Sequence, residues 1–232
     1  MKNIQEAIFR ERLELQVCVR LFVVFDDTIL IAVTNVFPGF WSSRNVVDNR
    51  RFALHNVFLV LKCFRSRDPT TLTAAFKTYV RPLLEYNSQV WSPHLVKDID
   101  SIEKIQRRFT KRLLGMKHHS YEERLFLLNL ERLEVRRIKS DVICAYKILF
   151  GHTAINNPNL LELYSSNYNT RGHKFKLIQH NCRCDTSKYF YTSRTAQVWN
   201  NLPADTTDFS SLSLFIKSLG YHTFDKLCIG KR

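Results

Sequence analysis

The run from Ala74 to Met116 constrains this chain more than any other, because its second half carries two incompatible solvents on one helical repeat. Ile99, Ile102, Ile105, Phe109, Leu113 and Met116 recur every three or four residues, the spacing of one face of an α-helix. Lys104, Arg107, Arg108, Lys111 and Arg112 fill the remaining arc. One side is therefore built to be buried, and the other carries a band of fixed positive charge. The first half forms a second apolar series through Leu72, Phe76, Tyr79, Leu83 and Tyr86, with Pro82 placed to kink or break it. A Trp91-Ser92-Pro93 turn joins the two halves into a helical hairpin.

That charge band matters because the whole chain is basic. Its 232 residues carry a formal net charge of +14, with an isoelectric point near 9.7. Such an excess favours a polyanionic partner, and the interleaving of cations with helical apolar positions from Leu95 to Lys139 favours nucleic acid over an anionic membrane. With 45% hydrophobic residues the chain can also bury a core. Six cysteines stand without a framework spacing, which fits a reducing compartment. The opening MKNIQEAIFRERLE has charges where a signal peptide would be apolar, and Asp26 and Asp27 interrupt the longest apolar run, Leu21 to Phe37. An intracellular protein, nuclear or cytoplasmic, with no membrane partner is expected.

Helices dominate the expected fold. A short polar helix over Asn3 to Gln16 precedes strand-forming residues from Val17 to Val33, and Thr34 to Asp48 reads as a loop. A helical period returns over Arg50 to Phe64. Asp68-Pro69 marks the start of the next helix, and Ser120 with Glu123 has the spacing of a capping box. Gly115 is placed to close the basic helix, and Asn129 to interrupt the one after it. Leu133, Ile138, Val142, Ala145, Tyr146 and Leu149 then mark a long amphipathic helix ending before Gly151, with Arg136, Arg137 and Lys139 adding to the cationic set. Asn156 to Tyr168 has linker composition. Lys174 to Gln179 suggests a weak strand, Tyr189 to Asn200 a helix stopped by Pro203, and Asp208 or Ser210 the cap of a last helix closed by Gly220.

Chemical signatures are few. Cys182, Cys184, His173 and His180 are close in sequence, but one residue between the cysteines is too few for zinc-knuckle geometry. Phosphate-cradling glycines, a nucleophile elbow and a dinucleotide fingerprint are absent from the sequence. Tyr79, Tyr86 and Trp91 lie among basic residues and would stack on bases if exposed, but at helical spacing they are expected in the core.

The string YVRPLLEYNSQVWSPH, followed by KDIDSIEKIQRRFTKRL, resembles the region just after the polymerase palm in reverse transcriptases of non-LTR retrotransposons, the LINE type. SYEERL, RRIKSDVICAYKIL, TRGHKFKL and YFYTSRTAQVWNNLP come after it in the same order, so the likeness spans roughly Arg50 to Leu219. It implies the thumb and downstream part of an RNA-directed DNA polymerase whose parent would use magnesium, with palm and endonuclease missing. In that family the catalytic aspartate pair is followed by a later valine, variable residue, Phe-Asp block, and Val23-Val24-Phe25-Asp26 fits this later block better than the catalytic one. No catalytic residue and no cofactor are expected in this chain. The expected architecture is mainly α: a degraded palm-trailing strand and unplaced loop over 1–49, a thumb-like helical bundle over 50–150, a linker over 151–168 and a small C-terminal unit over 169–232. The resemblance implies that Lys104, Arg107, Arg108, Lys111, Arg112, Arg136, Arg137 and Lys139 grip the backbone of a template and primer, with the missing palm and finger portions as further partners. A host-retained binding module without enzymatic activity, and a decayed reading frame, are the alternatives.

Overall fold

The computed structural model describes residues 44–153, 160–164, 172–220, 224 and 228. The polar helix, the Val17 to Val33 strand and Phe25-Asp26-Asp27 all lie outside the described residues. Within them the protein is mainly helical, with ten helices in the order α1 (Arg44–Cys63), α2 (Pro69–Tyr79), α3 (Arg81–Glu85), α4 (Ser88–Trp91), α5 (Val96–Lys111), α6 (Tyr121–Leu127), α7 (Leu133–Leu149), α8 (Asp185–Lys188), α9 (Tyr191–Asn200) and α10 (Leu212–Ser218).

Local chemistry sets most of the boundaries. Asp68 sits in extended backbone and its carboxylate accepts the Thr71 N–H at 2.9 Å, while Pro69 occupies the first turn of α2, where a missing N–H costs nothing. Pro82, in the first turn of α3, cannot donate to the turn before it, so α2 ends at Tyr79 and Val80 caps both helices. The capping box at α6 is complete, with Glu123 N–H donating to Ser120 Oγ at 3.3 Å and Ser120 N–H donating to Glu123 Oε2 at 2.8 Å. Asn129, in the left-handed region at φ 48°, stands just past the end of that helix, and Gly151, at φ 71°, just past α7.

Four boundaries depart from the spacing. α1 begins at Arg44, inside the stretch expected as a loop, and no Gly or Pro stands between Phe40 and Asp68 to stop it earlier. α5 ends at Lys111, so Leu113 and Met116 reach the core from the turn beyond it, where Gly115 takes φ 77°. The cap of α10 is Ser211, whose Oγ accepts from Leu214 N–H at 3.3 Å; Asp208 instead accepts the Ser210 N–H at 2.9 Å, and the helix closes at Leu219. The expected strand at Lys174 to Gln179 is a single antiparallel bridge between Leu163 and Leu177, because the side-chain amide of Asn200 takes the Leu177 N–H at 2.8 Å and its C=O at 2.9 Å. That amide stands where a second strand would pair.

Two apolar clusters result. The first gathers α1, α2, α5 and α6 around Val57, Leu72, Phe76, Ile102, Phe109 and Leu125, with the rings of Phe76 and Phe109 stacked at 4.4 Å. The second joins α7, α9 and α10 through Val142, Tyr146, Trp199, Leu202 and Phe215. α7 belongs to both: Leu133 closes the first cluster, while Val135, Val142, Ala145 and Tyr146 open the second. The division expected after Phe150 therefore comes after a helix whose greater part already packs against the C-terminal unit. Tyr79 and Tyr86, expected in the core, are 53% and 46% exposed, whereas Trp91 packs on the first cluster and donates its indole N–H to Tyr86 O. No helix among the described residues is long and apolar enough to cross a membrane.

Removing one ring of the Phe76 and Phe109 stack leaves a void between α2 and α5, so Phe109→Ala is expected to lower unfolding free energy by about 3–5 kcal/mol in chemical denaturation. Hydrogen bonds from Thr70 and Thr71 hold the Asp68 carboxyl below its ordinary pKa. A depressed carboxyl contributes stability above its unfolded pKa and loses it as pH falls through the folded one. Asp68→Ala is therefore expected to lower the melting temperature at pH 7, with a deficit that shrinks as the pH is taken toward 2.

Candidate nucleic-acid interface

α5 turns its apolar face inward with Ile99, Ile102, Ile105 and Phe109, and beside these stand three buried polar residues, Glu103, Gln106 and Thr110. The Glu103 side chain is 1% exposed and holds three elements together. Tyr121 of α6 donates its hydroxyl to Glu103 Oε1, and the first N–H of α7, that of Leu133, donates to Oε2 at 3.0 Å. Gln106 adds bonds to Tyr121 Oη at 3.1 Å and to Glu131 O at 2.9 Å. Burial raises the Glu103 carboxyl pKa, and the charges of Arg137 and Arg132 and the bonds from Tyr121 and Leu133 oppose it. Burial and the adjacent carboxylate together push the Tyr121 hydroxyl far above its ordinary range, so it stays a donor. α5 is thereby fixed in rotation about its axis.

With that face locked, Lys104, Arg108, Lys111 and Arg112 are presented to solvent. Lys97, also exposed, lies seven residues before Lys104 on the same stripe. At 1.5 Å per residue the stripe from Lys97 to Lys111 is about 21 Å long. The ion pairs among the described residues involve Arg81, His119, Arg136, Lys139 and Arg194, and none involves this stripe. Asp98 and Asp100 dilute the charge only at the Lys97 end, where Asp98 stands in the first turn and complements the helix dipole. Arg107 is half-buried, with its guanidinium 5.0 Å from the Tyr121 ring centre, and so is only partly turned to solvent.

The three cations of α7 are placed differently. Arg136 donates to both oxygens of Glu85 and approaches Glu131 at 3.8 Å, and Lys139 is paired with Glu131. Arg137 is 2% exposed, among the charges of Glu103, Glu134, Asp141 and Glu85. These residues do not extend the α5 stripe: two are neutralised at the surface, and the third is in the interior, where no duplex backbone reaches. The helical period carried a sign of this, since Leu133, Arg137, Asp141 and Ala145 share one face. The acidic partners Glu85 and Glu131 gave none; Glu85 is 51 residues from the arginine it binds.

A largely buried ion pair ties the C-terminal unit to the rest. Arg194 of α9 donates to Asp141 of α7 at 2.9 and 3.3 Å and to Gln89 O of α4 at 2.6 Å. Burial raises the Asp141 pKa, and Arg194 pulls it back. His173 is buried with Nε2 2.8 Å from Trp199 O and its ring edge-on to Trp199, while Cys182 Sγ lies 3.3 Å from Ser193 Oγ. Among the described residues no group of three or more His, Cys, Asp or Glu side chains is arranged to hold a metal ion. No protein-family model, curated protein or solved structure matches this chain.

The contrast between helices gives a direct expectation. Arg136→Gln leaves the Glu85 carboxylate with only the longer contact to Arg81 at 3.7 Å and should reduce stability by about 1–3 kcal/mol in denaturant titration. It should leave the salt dependence of nucleic-acid binding as in the unaltered protein.

Proposed function

We propose that this chain is the thumb and downstream portion of a LINE-type reverse transcriptase, and that it grips the sugar-phosphate backbone of a nucleic acid through α5. The observation that carries the reading is the stripe of Lys104, Arg108, Lys111 and Arg112, exposed, outside every described ion pair and mounted on a helix that buried bonds hold in one orientation. Copying requires a grip that holds any sequence equally, and lysine and arginine contacts to phosphate supply affinity and register without reading bases. Arg107, resting on Tyr121, is a flanking contributor. The ordered motifs from Arg50 to Leu219 support the parent enzyme class, and polymerisation itself belongs to the palm of that parent. The exposed ring of Tyr79 offers a face to the bases of a frayed strand.

Replacing Lys104, Arg108, Lys111 and Arg112 together with Gln is expected to weaken duplex binding and to flatten its dependence on salt. Each phosphate contact contributes a slope of about 0.9 in log affinity against log salt, so four would remove up to about 3.6. Fluorescence anisotropy at several salt concentrations measures both quantities. Unchanged affinity and slope would overturn the assignment. Primer extension on an RNA template should give no product from this chain alone.

A further inference from the structure

Cys182 and Cys184 are reduced, separated by Arg183 alone, and play no part in the α5 stripe. Cys182 is half-buried, with Sγ 3.3 Å from Ser193 Oγ of α9 and 3.5 Å from His180 O. As a thiol it donates to that carbonyl and accepts from the Ser193 hydroxyl. On losing its proton it gives up the first bond and strengthens the second, because a charged acceptor binds a donor more tightly than a neutral one. Hydrogen bonds from Ser193 and then Ser187, with the charge of Lys188 close by, hold this thiol below its ordinary pKa. A sulfur partly open to water beside hydroxyl donors and a lysine is available as a thiolate nucleophile.

Its neighbour is placed to complete a reaction. Cys184 is exposed, caps α8 in extended backbone, and follows a bend of the chain at Arg183. Two residues of fully extended chain reach about 7 Å, close to the top of the roughly 4.4–6.8 Å between Cα atoms that a disulfide spans, and the bend draws the two cysteines together. Exposed Arg183 and Lys188 outweigh Asp185, the one acid from His180 to Tyr189, so the local charge is positive. The other cysteines of the helices are set differently. Burial pushes the Cys144 thiol up, and Cys63, exposed at the end of α1, has no cysteine near it in the chain.

We propose that Cys182 and Cys184 form a hydroperoxide-responsive thiol pair, with Cys182 as the attacking residue and Cys184 as the resolving one. The Cys182 thiolate attacks one oxygen of hydrogen peroxide: an S–O bond forms, the O–O bond breaks, and the departing hydroxide takes up a proton and leaves as water. Sulfur is oxidised to a sulfenic acid and the peroxide is reduced. Cys184, giving up its proton, then attacks that sulfur; the S–S bond forms, the S–O bond breaks, and the second hydroxide leaves with the proton as water. Two thiols and one peroxide become one disulfide and two waters. A small thiol reverses the change by exchange.

Peptide mapping of the full chain tests the pair, because trypsin cuts at Arg183 between the two cysteines. After brief exposure to hydrogen peroxide and alkylation of the remaining thiols, the expected product is Leu177–Arg183 joined to Cys184–Lys188, separated by dithiothreitol, from a chain that still runs as a monomer on a non-reducing gel. Cys184→Ser should stop the reaction at the sulfenic acid, which dimedone traps on Cys182. Cys182→Ser should leave the Cys184 thiol open to alkylation. Ser193→Ala should move the pH profile of the oxidation rate upward and slow the reaction about threefold at pH 7, since greater nucleophilicity offsets about half, on a logarithmic scale, of a roughly tenfold loss of thiolate. Absence of the linked peptide, a link formed between two chains, or dimedone labelling of Cys63 in the Cys184→Ser variant as fast as that of Cys182 overturns the proposal.

Discussion

The structure depends on one helix being buried along two different directions. α7 gives Leu133 to one apolar cluster and Val142, Ala145 and Tyr146 to the other, so neither cluster can form its full surface without it. Its polar side chains hold the same position. Glu103 accepts the N–H that opens the helix, and Asp141 in its middle receives Arg194 from the C-terminal unit. Buried carboxylates held this way, by main-chain donors at Glu103 and by an arginine at Asp141, add little net stability over apolar substitutes, but removing a partner leaves a desolvated charge and is costly. They select one arrangement of helices over others of similar hydrophobic burial.

That selection bears on the surface. A cationic stripe on a freely rotating helix would present its charge in many directions, whereas α5 is held by Glu103 and Gln106, by Thr110, whose hydroxyl accepts from Arg124 Nε at 3.1 Å, and by its isoleucines. Lys104, Arg108, Lys111 and Arg112 consequently share one side. The residues that fix the helix are polar and would, by type alone, be assigned to solvent.

Much of the fold was legible where a single residue type has one strong local meaning. Asp68-Pro69, Pro82, the Ser120 and Glu123 pair, Asn129 and Gly151 each act within a turn, and each stands where its chemistry requires. The α5 stripe was legible for a similar reason, since helical spacing alone separates Lys104 and Arg108 from Ile102 and Ile105. The α7 cations were legible only in small part. Whether Arg136 is free or bound is decided by Glu85, 51 residues away and brought close by the packing of α3 on α7, whereas the burial of Arg137 is hinted at by the face it shares with Leu133 and Ala145. Tyr79 and Tyr86 failed likewise: their spacing is helical, but Pro82 ends α2 and redirects the chain into α3.

The bridge at Leu177 has a consequence for association. Along this segment Lys176 O and Ile178 N–H pair with Tyr164 N–H at 2.7 Å and Glu162 O at 2.9 Å on one side, while Leu177 bonds to the Asn200 amide on the other. Both margins of the extended stretch are thus occupied, one by chain and one by a single side chain. A β-strand from another molecule finds no unsatisfied main-chain groups at Leu177 to build on, so a lone asparagine shields this segment from sheet growth at the one β-bridge among the described residues.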